Sequence, residues 1–219
     1  MGMIAVIDFE TTGLSPETGA RATEIAVVLV RDGQIVDRYQ SLMNAWVRIP
    51  RFIESLTGIT NAMIQRAPPA AEVMDHVAEF IGDTPLIAHN ASFDRKFLDT
   101  ELARINRYRS QEFACTVLLA RRLYPDAPNH KLGTLAEYAG LPVTGRAHRA
   151  LADAEMTAHL LLHMQNHLQF HYGLSEVSHA LLCRIQNVSR TGLDLCIERY
   201  KKHHVKMAGN TVAPPRAIL

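Results

Sequence analysis

The sequence predicts an α/β fold: a mixed five-stranded sheet flanked by helices, with a short helical C-terminal extension. Three observations carry this reading. Residues 3–43 hold three β-compatible runs, two of them joined by a turn signal. Residues 70–116 alternate helical patterns with short strand-like pieces, and from residue 116 onward the pattern is helical. A hairpin followed by strands alternating with helices needs antiparallel and parallel pairing in one sheet.

Taken in order, MIAVIDF (3–9) is apolar on both faces, as a central strand requires. TEIAVVLV (23–30) and IVDRYQSLM (35–43) flank Arg31-Asp32-Gly33-Gln34, and Asp-Gly between β-compatible runs reads as an antiparallel hairpin. From Pro50 to Pro69 the chain reads as irregular, with short helical turns. AAEVMDHVAEFIG (70–82) follows as a helix, with Val73, Val77, Phe80 and Ile81 on one face and Gly82 ending it. PLIAHN (85–90) is a short strand. SFDRKFLDTELARI (92–105) is a helix for which Ser92 is the expected N-cap. EFACT (112–116) is a further short strand or extended piece. TVLLARRL, HKLGTLAEYAG and ALADAEMTAHLLLHMQNHLQF are helical. Beyond Gly173 the helices look shorter and the composition turns basic. We therefore expect a domain over residues 1–170 and a helical, basic extension over 171–219.

Composition bounds the function class. At 219 residues, 47% hydrophobic and 21% charged, the chain has enough apolar side chain for one proper core and is not disordered. The longest strictly apolar run, IAVVLV (25–30), is far too short to span a bilayer, so no membrane partner is expected. Cysteine is sparse and odd in number: Cys115, Cys183 and Cys196, with no CxxC spacing. Together with the lack of a signal-peptide pattern before the first strand, this leads us to expect a reducing, cytoplasmic setting. The net charge of +1 is no signature of a strongly basic nucleic-acid binder. It is unevenly spread: residues 171–219 hold seven Lys/Arg against three Asp/Glu, the other 170 residues 16 against 19.

Three stretches bear chemistry. In IDFETTGL, Asp8 and Glu10 are two apart in a strand and so share a face. Adjacent like charges drive one carboxylate to protonate unless a cation sits between them, and a hard divalent ion suits oxygen ligands. On this pair alone, a plain strand end capping the TTG turn is the favoured reading. HNASFD (89–94) lies where a strand runs into a helix, a common site location in α/β sheets, and puts Asp94 in the helix's first turn. AHRALADAE (147–155) sets His148 just before a helix that begins near Asp153, with Ala150, Ala152 and Ala154 leaving little bulk around them. The ordinary pKa of histidine lies near neutrality, which suits a general base. Four carboxylates and one histidine are the set needed by a two-metal phosphodiester hydrolase, in which ions roughly 3.5–4 Å apart stabilise the attacking and leaving oxygens.

DFETTGL, HNASFD and HRALADA, in this order, resemble the three motifs of the DEDDh 3′–5′ exonucleases, whose fold is ribonuclease H-like. The likeness extends to the proofreading epsilon subunit type of bacterial DNA polymerase III, through GIT (58–60), PAAEVMDHVAEFI (69–81) and KLGTLAEYAGL (131–141), and it covers residues 3 to about 163. It implies two divalent ions, Mg²⁺ or Mn²⁺. Asp8, Glu10 and Asp153 resemble the ligands of the first; Asp8, with Asp94 nearby through water, resembles those of the second. His148 resembles the general base, and its spacing from Asp153 fits the histidine subclass. Thr11, Thr12 and Leu14 resemble residues that hold the terminal nucleotide and its 3′ hydroxyl; His89, Asn90 and Phe93 resemble neighbours lining that pocket. Thr57 departs from the pattern, standing where many relatives carry histidine before Gly-Ile-Thr.

The implied activity is release of nucleoside 5′-monophosphates from the 3′ end of single-stranded or frayed DNA, in proofreading or repair. An exoribonuclease of the same fold is the alternative. A binding module without catalysis and an endonuclease of related fold are the other classes. Implied partners are a DNA (or RNA) 3′ end and DNA polymerase III components or the sliding clamp. QNHLQF (165–170) loosely resembles a clamp-binding peptide, with Gln165, Leu168 and Phe170 as anchors, but it continues a helical pattern in which packing is the favoured role. ERYKKHHVK (198–206) either tracks a nucleic-acid backbone or is a solvated helix end.

Overall fold

The computed structural model describes residues 2–142 and 148–209, the side chains of 203–209 excepted. In chain order the elements are β1 (Ile4–Thr11), β2 (Ala22–Arg31), β3 (Gln34–Leu42), α1 (Arg51–Thr57), α2 (Asn61–Gln65), α3 (Ala70–Ile81), β4 (Leu86–Ala88), α4 (Ser92–Arg104), β5 (Phe113–Cys115), α5 (Thr116–Leu123), α6 (Leu132–Tyr138), α7 (Ala150–Tyr172), α8 (His179–Gln186) and α9 (Leu193–Gly209). The five strands form one sheet in the order β3-β2-β1-β4-β5. β1–β2 and β2–β3 pair antiparallel, and β1–β4 and β4–β5 pair parallel. This is the expected mixed sheet, with β1 at its centre.

The β2–β3 hairpin turns at Asp32 (φ 51°) and Gly33 (φ 80°). Two successive positive φ values match the twist of the flanking strands, and the Asp-Gly pair tolerates them. Alternation splits the central strands between two cores. Ile4, Val6, Ala26, Val28 and Ile87 join the cluster under α5, α7, α8 and α9. Ala5, Ile7, Ile25, Val27 and Leu86 join the one under α3 and α4. Because both faces are covered, β1 reads as one apolar run interrupted only by its carboxylates.

α7 brings the third motif to the sheet. Ala150, Ala154 and Ala158 are fully buried against it, and the absence of bulk at these positions lets the helix approach β1 and β2 closely. α7 also runs through residue 170 to Tyr172, where Gly173 (φ 60°) caps it. Val177, Leu181, Leu182, Ile185, Leu193 and Ile197 of the following segment lie in the same hydrophobic cluster as the α7 face.

One local expectation is corrected, and one is met. Ser92 is the first residue of α4 rather than its cap; Ala91 holds that position with helical backbone angles and no side-chain cap bond. Asn90, at φ 65°, already turns the chain into the helix, so no capping side chain is needed to steer it. In the clamp-like stretch, Gln165 and Leu168 are buried; the Gln165 amide donates to the Val177 carbonyl, and of the three suggested anchors only Phe170 is exposed. Residues 203–206 of the basic stretch lie outside the described side chains.

Candidate active site

The site forms where the carboxyl ends of β1 and β4 meet the start of α7. β1 presents Asp8 and Glu10 on one face, as their spacing requires. The parallel strand β4 ends beside them, and its exit carries His89, Asn90 and, after the turn, Asp94. Asp94 is buried and its Oδ1 accepts the backbone N–H of Phe9 at 3.2 Å, between the two β1 carboxylates. That bond ties the second motif to the first.

The third motif is held by a left-handed residue. His148 adopts φ 61°, and its backbone N–H donates to Asp153 Oδ2 at 3.0 Å. Glu10, His148 and Asp153 each offer a donor atom within 4.8 Å of the others. Asp8, His148 and Asp153 also line, with His89 and Asn90, a cleft of ≈ 910 Å³.

The electrostatics are those of crowded acids. Burial first, then the charges of Asp94, Asp153 and Glu10, push Asp8 well above the usual carboxylate range. Glu10 is pushed up to about 8, chiefly by burial and next by Asp153 and Glu24. Burial alone lifts Asp94 to about 8 against the opposing Phe9 hydrogen bond. Asp153 is raised by burial, with the His148 N–H and charge opposing. An oxygen-rich, half-buried donor set that repels itself is what a hard divalent cation satisfies, so the residues present fit such an ion.

The suggested nucleotide-pocket residues are placed as follows. Thr11 is buried and its hydroxyl donates to the Gly13 carbonyl. Thr12 Oγ1 accepts the Arg21 N–H. Leu14 projects into solvent, 87% exposed. His89 Nδ1 lies 2.8 Å from Thr116 Oγ1, and burial pushes its pKa down to about 4, so the ring is neutral. Phe93 packs on Phe97 with ring centroids 4.9 Å apart. Thr57 is buried; its hydroxyl donates to the Ile53 carbonyl and accepts from the Ile59 N–H, stabilising the end of α1.

Residue-type reasoning missed a supporting pair. Glu24 of β2 is fully buried beside Glu10, its cross-strand partner. It accepts two hydrogen bonds from the Arg149 guanidinium, at 2.8 and 3.1 Å, one from the Ala150 N–H and one from Gln40. Arg149 is thereby fixed between His148 and the first turn of α7. The signal was available: a glutamate inside TEIAVVLV is anomalous in a buried strand unless paired. Arg121, His130 and Lys131, also not singled out, line the same cleft as Asp8 and Asp153.

A family model described as RNase T, Exonuclease, matches residues 5–161. The chain belongs to this exonuclease family. It is 35% identical over 177 residues to the DNA polymerase III subunit epsilon of Aquifex aeolicus, covering 80% of this chain and 86% of that protein. It is 38% identical over 179 residues to the PolC-type DNA polymerase III of Bacillus subtilis, covering 78% of this chain; there it spans 12% of the relative's length. Among solved structures, Exonuclease X in complex with 5′-overhanging duplex DNA superposes with a TM-score of 0.67 at 30% identity, covering 84% of this chain and 99% of that one. The nuclease domain of 3′hExo, a DEDDh family member bound to rAMP, gives 0.65 at 25% identity over 80% of this chain and 96% of that one. The mixed sheet flanked by helices is thus the fold of these exonucleases.

Proposed function

We propose that the protein is a divalent-metal-dependent 3′–5′ exonuclease. It releases nucleoside 5′-monophosphates from single-stranded or frayed DNA ends, in proofreading or repair. The observation that carries this reading is the convergence of Glu10, His148 and Asp153, from two distant segments, at a cleft that also holds Asp8. Asp8, Glu10 and Asp153, with Asp94 behind them, are the residues to hold two Mg²⁺ or Mn²⁺ ions. The chemistry supplied there is stabilisation of charge on the attacking and leaving oxygens.

The chain's own residues do the rest. His148 accepts a proton from the attacking water as its oxygen bonds to the terminal phosphorus; the bond from phosphorus to the upstream 3′ oxygen breaks, and that oxygen leaves to take a proton from solvent. Arg149, held by Glu24, keeps the His148 backbone in place. The turn at Thr11, Thr12 and Leu14 and the β4 exit at His89, Asn90 and Phe93 bound the terminal nucleotide.

The epsilon and PolC relatives support polymerase III components as partners. Sliding-clamp contact through QNHLQF is weakened by the burial of Gln165 and Leu168. A cytoplasmic setting accords with the free thiols of Cys115, Cys183 and Cys196; among the described residues no helix is long and apolar enough to cross a membrane. Trimming of RNA ends is the second reading, favoured by the rAMP held by the DEDDh neighbour.

The test is a 5′-labelled single-stranded DNA oligomer incubated with Mn²⁺, beside EDTA and Asp153→Ala controls. A ladder shortening from the 3′ end, absent in both controls, is expected. An intact DNA oligomer with a shortened RNA counterpart would move the assignment to the ribonuclease, and no cleavage of either would remove it.

A further inference from the structure

Trp46, the only tryptophan of the chain, is 82% exposed and has φ 59°. A bulky residue in the left-handed region is strained, and an exposed indole gains nothing from burial to offset that. The surroundings nonetheless fix it. Asn44 is buried, its side chain accepts the Trp46 N–H at 2.9 Å, and its backbone is bonded on both sides, to the Pro68 carbonyl and the Ala70 N–H. Arg21 holds the neighbouring Ala45 carbonyl at 3.1 Å while its two remaining guanidinium nitrogens are bound by buried Glu101. The same Arg21 exchanges backbone and side-chain bonds with Thr12. The loop that displays the indole is therefore tied to the turn that follows the catalytic strand.

Topology puts the ring at the same end of the sheet as the carboxylates. β1 and β3 run in the same direction on either side of β2, and the register aligns Glu10, Glu24 and Leu42 across the three strands. Leu42 is thus about 10 Å from Glu10, two strand spacings, and Trp46 follows four residues later. Exposed Arg48, Arg51 and Phe52 follow it within six residues, and the charges of both arginines reach the carboxylate of Glu54. Trp46 also walls a cleft of ≈ 550 Å³ with Arg48, Asn61 and Gln65.

We propose that Trp46 is a stacking platform for a base of the single-stranded nucleic acid upstream of the cleaved nucleotide, with Arg48 and Arg51 neutralising its phosphates. Aromatic faces beside positive charge are how single strands are gripped without sequence preference. The inference rests on the nuclease reading above and adds a binding subsite to it.

The single tryptophan is its own reporter. An oligo(dT) with a phosphorothioate-blocked 3′ end is titrated into the protein with Mn²⁺, while Trp46 emission and the anisotropy of a 5′ label are followed. Emission should be quenched in step with binding, and thymidine monophosphate alone should leave it unchanged. Trp46→Gly removes the ring and relieves the backbone, so its melting temperature should not fall. Its affinity for the oligomer should drop about 5- to 150-fold, the alanine-scale worth of one stacked base, and Trp46→Phe should restore most of it. Unchanged emission and full affinity of Trp46→Gly, with cleavage intact, would overturn the platform and leave the nuclease standing. Emission that changes with protein concentration alone would make the patch a contact between two copies and overturn it as well. Absence of both binding and cleavage would remove the nuclease reading and the platform with it.

Discussion

Asp8, Glu10, Asp94 and Asp153 share one cost at the residue scale: burial raises their proton affinity, joined at Asp8 and Glu10 by repulsion from neighbouring carboxylates, and a cation or a proton relieves it. In metal-free protein, Glu10 and Asp94 remain protonated up to about pH 8 when folded but ionise near the ordinary carboxylate range when unfolded. The unfolded chain then binds fewer protons, so their contribution to stability is full below about pH 4 and is lost as the pH rises towards 8. Urea midpoints in EDTA should therefore fall between pH 5 and pH 8, and Asp94→Asn should flatten the decline. Added Mn²⁺ should raise the wild-type midpoint more at pH 8 than at pH 5. For catalysis, Asp8→Ala and Asp153→Ala should abolish cleavage together with metal binding measured by calorimetry. His148→Ala should slow cleavage by roughly 10²–10⁴-fold with metal binding retained; equal metal loss in all three would remove the base role from His148. Arg149→Ala should lower stability by about 1.5–3 kcal/mol, the scale of hydrogen bonds to a charged group, and slow cleavage as well, because it frees the residue that flanks His148.

Elements carry a different kind of constraint. α7 delivers Asp153 to β1 only because Ala150, Ala154 and Ala158 leave no side chain in the way. Ala154→Leu should therefore overpack this contact, costing about 1–3 kcal/mol and shifting Asp153 away from Glu10, so that activity falls further than the thermal midpoint alone accounts for. Much of this was legible beforehand. The hairpin at Asp32-Gly33, the central position of β1 and the run of α7 through residue 170 follow from turn chemistry and from the period of apolar residues. The pairing of Asp8 with Glu10 follows from the period of a strand. The Glu24–Arg149 clamp and the Phe9–Asp94 bond were not legible, because each joins positions more than 80 residues apart whose partners no local pattern names. The cap of α4 was misassigned to Ser92 because a left-handed Asn90 does what a capping serine would do. Trp46 gave no sign in the sequence of its backbone angle, since nothing local requires a tryptophan to turn that way.

At the scale of the molecule, α8 and α9 close the core that α7 opens. Removal of residues 174–219 would bare Val177's and Leu182's contact surface along α7 and β5 and expose the cluster that includes Leu160, Leu161 and Leu168. Such a truncation should bind a hydrophobic dye strongly and lose its cooperative melting transition. Retention of a sharp transition would mean that residues 1–173 fold independently. The mixed sheet also explains why the site sits at one end of the molecule: the parallel pair β1–β4 brings two carboxyl ends together, while the antiparallel hairpin supplies Glu24 from the side.

α8 has a second effect, on the rim of the sheet. The Gln186 amide accepts the Cys115 N–H at 2.8 Å and donates to the Phe113 carbonyl at 3.0 Å. These are the bonds an added strand would make to β5, so one side chain occupies the place of a sixth strand. Unpaired strand edges recruit other chains, and this one is closed. Among the described residues no strand pairs with the opposite edge, β3, which carries the charged Asp37 and Arg38. Concentrated solutions should consequently remain free of sheet-to-sheet fibres. A change as small as Gln186→Ala would unseal the β5 rim, and its first symptom would be turbidity on storage, well before any loss of turnover.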